Sequence, residues 1–194
     1  MVNNHLDQVM KLDMKPMNSN MEKTSVLYHG SPNGEIEEFL PRVSKGSGES
    51  HGALVYASPD KATAIMFMAN VSVPWSTGLT GNNVLYAIIP MDRDIFIAND
   101  HGGYVYVLDA KTFSSDPQRG MGEYEWASSV PVKPLEKIRF ESVLEAMIEH
   151  GVQVYFVEQE KYQTMLESKQ PKYTFLKDLE SENARRSRGV IESK

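Results

Sequence analysis

The chain of 194 residues contains no cysteine, which excludes disulfides, thiolate catalysis and cysteine-ligated zinc. It also lacks an excess of positive charge. Against 26 acidic residues stand 20 lysines and arginines, a formal net charge of −6. A nucleic-acid partner held mainly by charge would need the opposite balance, although a local basic patch is compatible with it. No apolar run approaches the ~20 residues that cross a bilayer, so no membrane partner is expected. Residues 1–20 are polar and dotted with methionine, without the apolar core of a secretion signal. A cytoplasmic location is the expectation. Internal repeats, a clear linker, a compact His-x-x-x-His pair and a Gly-x-Ser-x-Gly elbow are all missing, and no metal site is expected. Gly102-Gly103 lacks the Lys-Ser/Thr of a phosphate loop.

What remains is an ordinary globular composition, 41% hydrophobic and 24% charged, long enough for one domain with a real core. Residues 1–22 read as a loose lead-in, 23–158 as a single domain, and 159–194 as a C-terminal helix with a charged tail. Strands are expected at 24–28, 53–57, 84–91, 95–98, 104–108, 123–127, 138–140 and 152–157. Helices are expected from Ser58-Pro59-Asp60 onward, over 141–150 with Gly151 closing it, and over 160–184. Since helices and strands do not alternate regularly, the fold class is α+β with mostly antiparallel strands.

Three short motifs carry the chemistry. In Tyr28-His29-Gly30-Ser31 an apolar strand stops at an imidazole, with a glycine whose backbone a ligand can approach. Alone, His29 equally suits a strand end bonded to a loop carbonyl. In Leu54-Val55-Tyr56-Ala57-Ser58 a strand presents Tyr56 and then opens a helix capped by Ser58. A tyrosine in a strand is more often core packing than a stacking platform. Between these motifs lies a Gly/Ser-rich stretch, 44–52, which reads as a surface loop beside whatever they bind. In Gly122-Glu123-Tyr124-Glu125-Trp126, strand alternation would place Glu123 and Glu125 on one face and Trp126 on the other. Such a Glu-x-Glu also describes a solvated edge strand. His51 and His101 belong to no ligand cluster, and His150 suits the C-terminal end of a helix.

Taken in order, these motifs resemble the ADP-ribosyltransferase superfamily in its His-Tyr-Glu branch, which includes diphtheria-type toxins, poly(ADP-ribose) polymerases and rifampin-modifying enzymes. The resemblance spans about residues 26–157. It is best at Leu27-Tyr28-His29-Gly30-Ser31, at Val55-Tyr56-Ala57-Ser58, and at Glu125-Trp126 before Val130-Pro131-Val132-Lys133-Pro134. It implies a split β-sandwich with NAD as co-substrate and no metal. Transfer of ADP-ribose to an unknown acceptor (protein, nucleic acid or small molecule) is the implied activity. NAD hydrolysis and a non-catalytic nucleotide- or partner-binding module are the alternatives. An RNA 2′-phosphotransferase is a further relative, disfavoured by the acidic balance. Under the resemblance His29 bonds a ribose hydroxyl, Gly30 clamps the carboxamide and Tyr56 stacks on the nicotinamide. Ser31 and Ser58 adjoin the cofactor, and a glutamate holds the ribose 2′-hydroxyl. Glu125 is preferred because it directly precedes Trp126, with Glu123 in reserve. Arg42, on charge grounds, neighbours the diphosphate. A role as toxin or effector would fit such an enzyme. Glu-x-Glu is more typical of the arginine-modifying branch, but the arginine and Ser-Thr-Ser strand of that branch have no counterpart here.

Overall fold

The computed structural model describes residues 24–43, 52–71, 75–116, 121 and 124–192. The expected lead-in over 1–22, most of the Gly/Ser stretch, His51 and Glu123 lie outside the described residues. Among the described residues the architecture is α+β, built on three sheets of three strands each.

The first sheet joins β1 (Val26–Ser31), β6 (Gly103–Asp109) and β8 (Pro134–Phe140), all antiparallel, with His29 opposite Tyr106. The second joins β2 (Arg42–Val43), β3 (Ala53–Ala57) and β7 (Trp126–Ser128), again antiparallel. In the third, β4 (Ser76–Leu79) is antiparallel to β5 (Leu85–Ile89), and β5 is parallel to β9 (Gln153–Phe156). A parallel pair needs a long crossover, and β6 to β8 with their following helix supply it.

The central strand of the first sheet, β6, is buried on both faces. Leu27, Tyr106 and Leu108 pack with Phe39, Val55, Ala57 and Val132 toward the second sheet. Val105 packs on the opposite side with α1 (Lys61–Met66), α3 (Val143–Glu149) and the inner residues of β5 and β9. Strand alternation explains how neighbouring residues of β6 serve different cores.

Several elements differ from expectation for identifiable reasons. The run 95–98, whose isoleucines suggest a strand, lies in α2 (Arg93–Ala98). Asp92 caps it by accepting from the N–H groups of Asp94 and Ile95, and Phe96 anchors it in the core. The first helix begins two residues later than its sequence suggests. Asp60, not Ser58, is the cap, accepting from the N–H of Thr63 at 2.8 Å and from its hydroxyl at 2.7 Å. Beyond 158 the chain is not one helix. Pro171 separates α4 (Gln159–Glu167) from a 3-10 stretch, Lys172–Asp178, and α5 (Glu182–Glu192) follows.

These C-terminal elements are packed in. Tyr162, Met165 and Leu176 share a core with Ile88 and Tyr155. Glu182 is buried and receives Arg93 Nε at 2.7 Å and Arg186 Nε at 3.0 Å, while Arg186 also pairs with Glu145. Asn183 fastens α5 to β9: its amide oxygen accepts from Val154 N–H and its amide nitrogen donates to the Val152 carbonyl. At the start of α3, burial works to raise the Asp100 carboxyl. The N–H groups of Leu144 and Val143, the Ser142 hydroxyl and the Gly102 N–H more than offset that, leaving it below its ordinary value. Among the described residues no helix is long and apolar enough to cross a membrane.

Candidate functional site

The site grows from the place where β1 and β3 separate. Tyr28 N–H donates to the Ser58 carbonyl and Ser58 N–H donates to that of Tyr28, both at 2.8 Å. An antiparallel ladder continued from this bridge would next pair Gly30 with Tyr56. It does not. The His29 ring enters instead, with Nδ1 2.7 Å from the Tyr56 carbonyl.

That contact fixes the chemistry of the ring. A carbonyl only accepts, so Nδ1 carries the proton and donates. Burial lowers the pKa of His29, against the smaller opposing effect of this hydrogen bond. The ring is therefore neutral at pH 7, and Nε2 is an acceptor able to take a hydroxyl proton. Phe39 holds the ring from the side, with centroids 4.5 Å apart.

Gly30 serves two demands. A Cβ there would stand 1.8 Å from the carbonyl oxygen of Ala64, so the approach of α1 to β1 itself requires glycine. Strand alternation also turns the Gly30 N–H and C=O toward the same edge as those of Tyr28, the edge from which β3 has moved away. Ser31 and Ser58 hold turns: the Ser31 hydroxyl oxygen accepts from Asn33 N–H and that of Ser58 from Asp60 N–H, each at 3.1 Å.

Tyr56 is half-buried, on the face of β3 opposite Val55 and Ala57, which enter the core. Arg42 is exposed and stands opposite Leu54, on the face that Tyr56 shares. Across the other edge of β3, Tyr56 faces Ala127, and Ala127 in turn bridges to Ser114 with paired N–H donors at 2.9 and 3.0 Å. Glu125 and Asp116 each lie two residues from the Ala127–Ser114 bridge, and Ser58 lies two residues past Tyr56. Trp126 turns the other way, into the core.

The strand expected at 123–127 is shorter than its sequence suggests. Tyr124 lies in a turn and β7 begins only at Trp126. Glu125 is exposed directly before the strand. His29 and Gly30 thus lie on β1, Tyr56 on β3, Ser58 at the bridge that joins them and Glu125 just before β7, with Arg42 on β2.

Asp116 was not picked out by sequence reasoning. The available signal is that a loop between two extended runs makes its ends neighbours, so 114–116 and 125–127 were candidates to pair. His101 is exposed and its carbonyl accepts from Arg139, while His150 donates from Nδ1 to the Ala146 carbonyl at 2.9 Å. No family model, curated protein or solved structure matches the chain.

Proposed function

We propose that this protein is a mono-ADP-ribosyltransferase that uses NAD as co-substrate, on a split β-sandwich of the His-Tyr-Glu type. The observation that carries this reading is the 2.7 Å contact between the His29 ring and the Tyr56 carbonyl, which joins two of the three motifs where two strands part. The donor set suits NAD. Neutral Nε2 of His29 accepts from a ribose hydroxyl, and the Gly30 N–H and C=O match the carbonyl and amine of a carboxamide. Tyr56 offers a ring face to the nicotinamide. Arg42, on the same face, supplies a cation to the diphosphate.

Cleavage of the nicotinamide–ribose bond resembles glycoside cleavage, with positive charge growing at the anomeric carbon. The bond pair leaves with the pyridinium nitrogen, which becomes neutral, so no strong general acid is required. Glu125 accepts from the ribose 2′-hydroxyl and opposes the growing charge. The acceptor then bonds to the anomeric carbon and releases its proton. Because Glu125 is exposed, water competes as acceptor, and some NAD hydrolysis accompanies transfer.

Incubation with NAD and measurement of free nicotinamide tests the reading. Wild-type protein is expected to release it and Glu125→Gln to release far less. Absence of release from the wild type, with and without lysate, would leave a nucleotide- or partner-binding module in its place.

A further inference from the structure

We infer that the cavity between the end of β1 and helix α2 is a second binding site, for a small uncharged molecule whose apolar body carries a hydrogen-bond donor. The inference stands apart from the transferase reading. The cavity has a volume of about 570 Å³, and Val71, Met91, Ile95, Phe96 and Val143 supply its apolar wall. Pockets that take small molecules run from about 300 to 1,000 Å³ and combine such walls with a few polar groups. Phe96 and Val143 belong to the core that includes Val105, whereas Phe39, beside the His29 ring, belongs to the core on the other side of the first sheet. The cavity shares no residue with the candidate NAD site.

The turn at residues 100–102, which lines the cavity, is held firmly. Asp100 Oδ1 accepts from the N–H groups of Gly102 and Val143, and Oδ2 from the Ser142 hydroxyl and the Leu144 N–H. The His101 carbonyl accepts from Arg139 at 2.9 Å. Gly102 has a φ of +70°, and a Cβ there would stand 2.0 Å from the Phe140 carbonyl oxygen. A rim fixed in this way loses little freedom when a ligand enters.

Charge and hydrogen bonding then select the ligand. Asp100 and His101 are the titratable residues that line the cavity among the described residues, and no lysine or arginine joins them. An anion meets the Asp100 carboxylate with no fixed cation to offset it, and a cation finds both carboxyl oxygens already taken. The diphosphate of NAD is disfavoured on the same ground. Asn99 sets the polar contact. Its amide nitrogen donates to the Ile95 carbonyl at 2.8 Å, which leaves Oδ1 as an acceptor with no hydrogen bond among the described residues. A wholly apolar ligand that covered this oxygen would strip its water and return nothing, so a donor on the ligand is required.

The test titrates the isotope-labelled full chain with indole, N-methylindole and indole-3-carboxylate while backbone amide resonances are followed. Indole is expected to shift those of Val71, Ile95 and His101 saturably. N-methylindole, which lacks the donor, and indole-3-carboxylate, which adds a negative charge, should each bind about tenfold or more weakly. Ile95→Trp, at a position 55% exposed and so little risk to folding, should weaken indole about tenfold. Asn99→Leu should abolish the preference for indole over N-methylindole, and unfolding midpoints check that both variants fold. No saturable shift, or shifts confined to the surroundings of Tyr56, would overturn the site, as would wild-type affinity in Ile95→Trp. Equal binding of indole-3-carboxylate would overturn the uncharged class. Equal binding of N-methylindole, or a preference for indole that survives Asn99→Leu, would overturn the donor requirement. Displacement of indole by NAD would overturn the separation of the two sites.

Discussion

Gly30 lies so close to Ala64 that a methyl group on its Cα would fall 1.8 Å from the Ala64 carbonyl oxygen. Backbone on both sides leaves nothing flexible to yield. Gly30→Ala is therefore expected to destabilise the fold by about 1–3 kcal/mol through forced separation of α1 from β1. Thermal unfolding without any nucleotide checks this. A loss of activity in this variant says nothing about carboxamide binding unless its stability is unchanged.

His29→Asn tests the two ring nitrogens separately. An asparagine amide can still donate toward the Tyr56 carbonyl, but it places nothing at Nε2. Near-native folding with weakened NAD binding is expected, read by denaturation and by direct titration. If binding is unchanged, His29 is a strand-end histidine and no more.

The same histidine gives an acid-sensitive component of stability. Its folded-state pKa lies below the ordinary value of 6.5, so the unfolded chain binds the proton more readily. The stabilisation is complete above about pH 6.5 and is lost as pH falls from there toward the lower folded-state value. Denaturant midpoints measured across this range should decline for wild type and decline less for His29→Asn.

Glu125→Gln is expected to reduce nicotinamide release about 10²–10³-fold, as for other groups placed against developing charge. Asp116→Asn, two residues beyond the Ser114–Ala127 bridge, should cost no more than about tenfold. Should Asp116→Asn show the larger loss, the two carboxyl groups exchange roles in the mechanism.

Glu182 holds α2 and α5 together from a side chain only 1% exposed. The hydrogen bond from Arg93 leads in drawing its pKa down, against burial and with help from Arg186. A depressed carboxylate pKa adds stability that is present above about pH 4.3 and disappears as acid protonates the folded form. Glu182→Ala leaves Arg93 without its main partner and should cost about 3 kcal/mol, seen as a lower unfolding midpoint at neutral pH. The wild-type advantage over this variant should narrow in acid.

Much of the framework was legible in the sequence because local patterns decided it. The runs expected at 24–28 and 53–57 are short, apolar and bounded by turn residues; the second became β3 as expected, while β1 is shifted to Val26–Ser31. The helix before Gly151 announced its own end, and that glycine has a φ of +81°. β4 was not legible, since Ser-Thr-Gly-Leu shows no clear apolar alternation. Its pairing with β5 and the 2.7 Å contact of Ser76 with Tyr162, far along the chain, hold it in place. For the site, residue types could be read but not partners. Nothing local tells that the ring of His29 meets a carbonyl 27 residues away, or that Ser114 bridges to Ala127.

Asn183 has a consequence for the order in which the molecule can be made. The amide that receives Val154 N–H and donates to the Val152 carbonyl comes 29 and 31 positions after its targets. A ribosome that has just delivered β9 has therefore not yet delivered the group that satisfies its outer edge. Until α5 emerges, the nascent chain carries an open strand beside an incomplete core, and this is the interval in which a chaperone would be most useful to it.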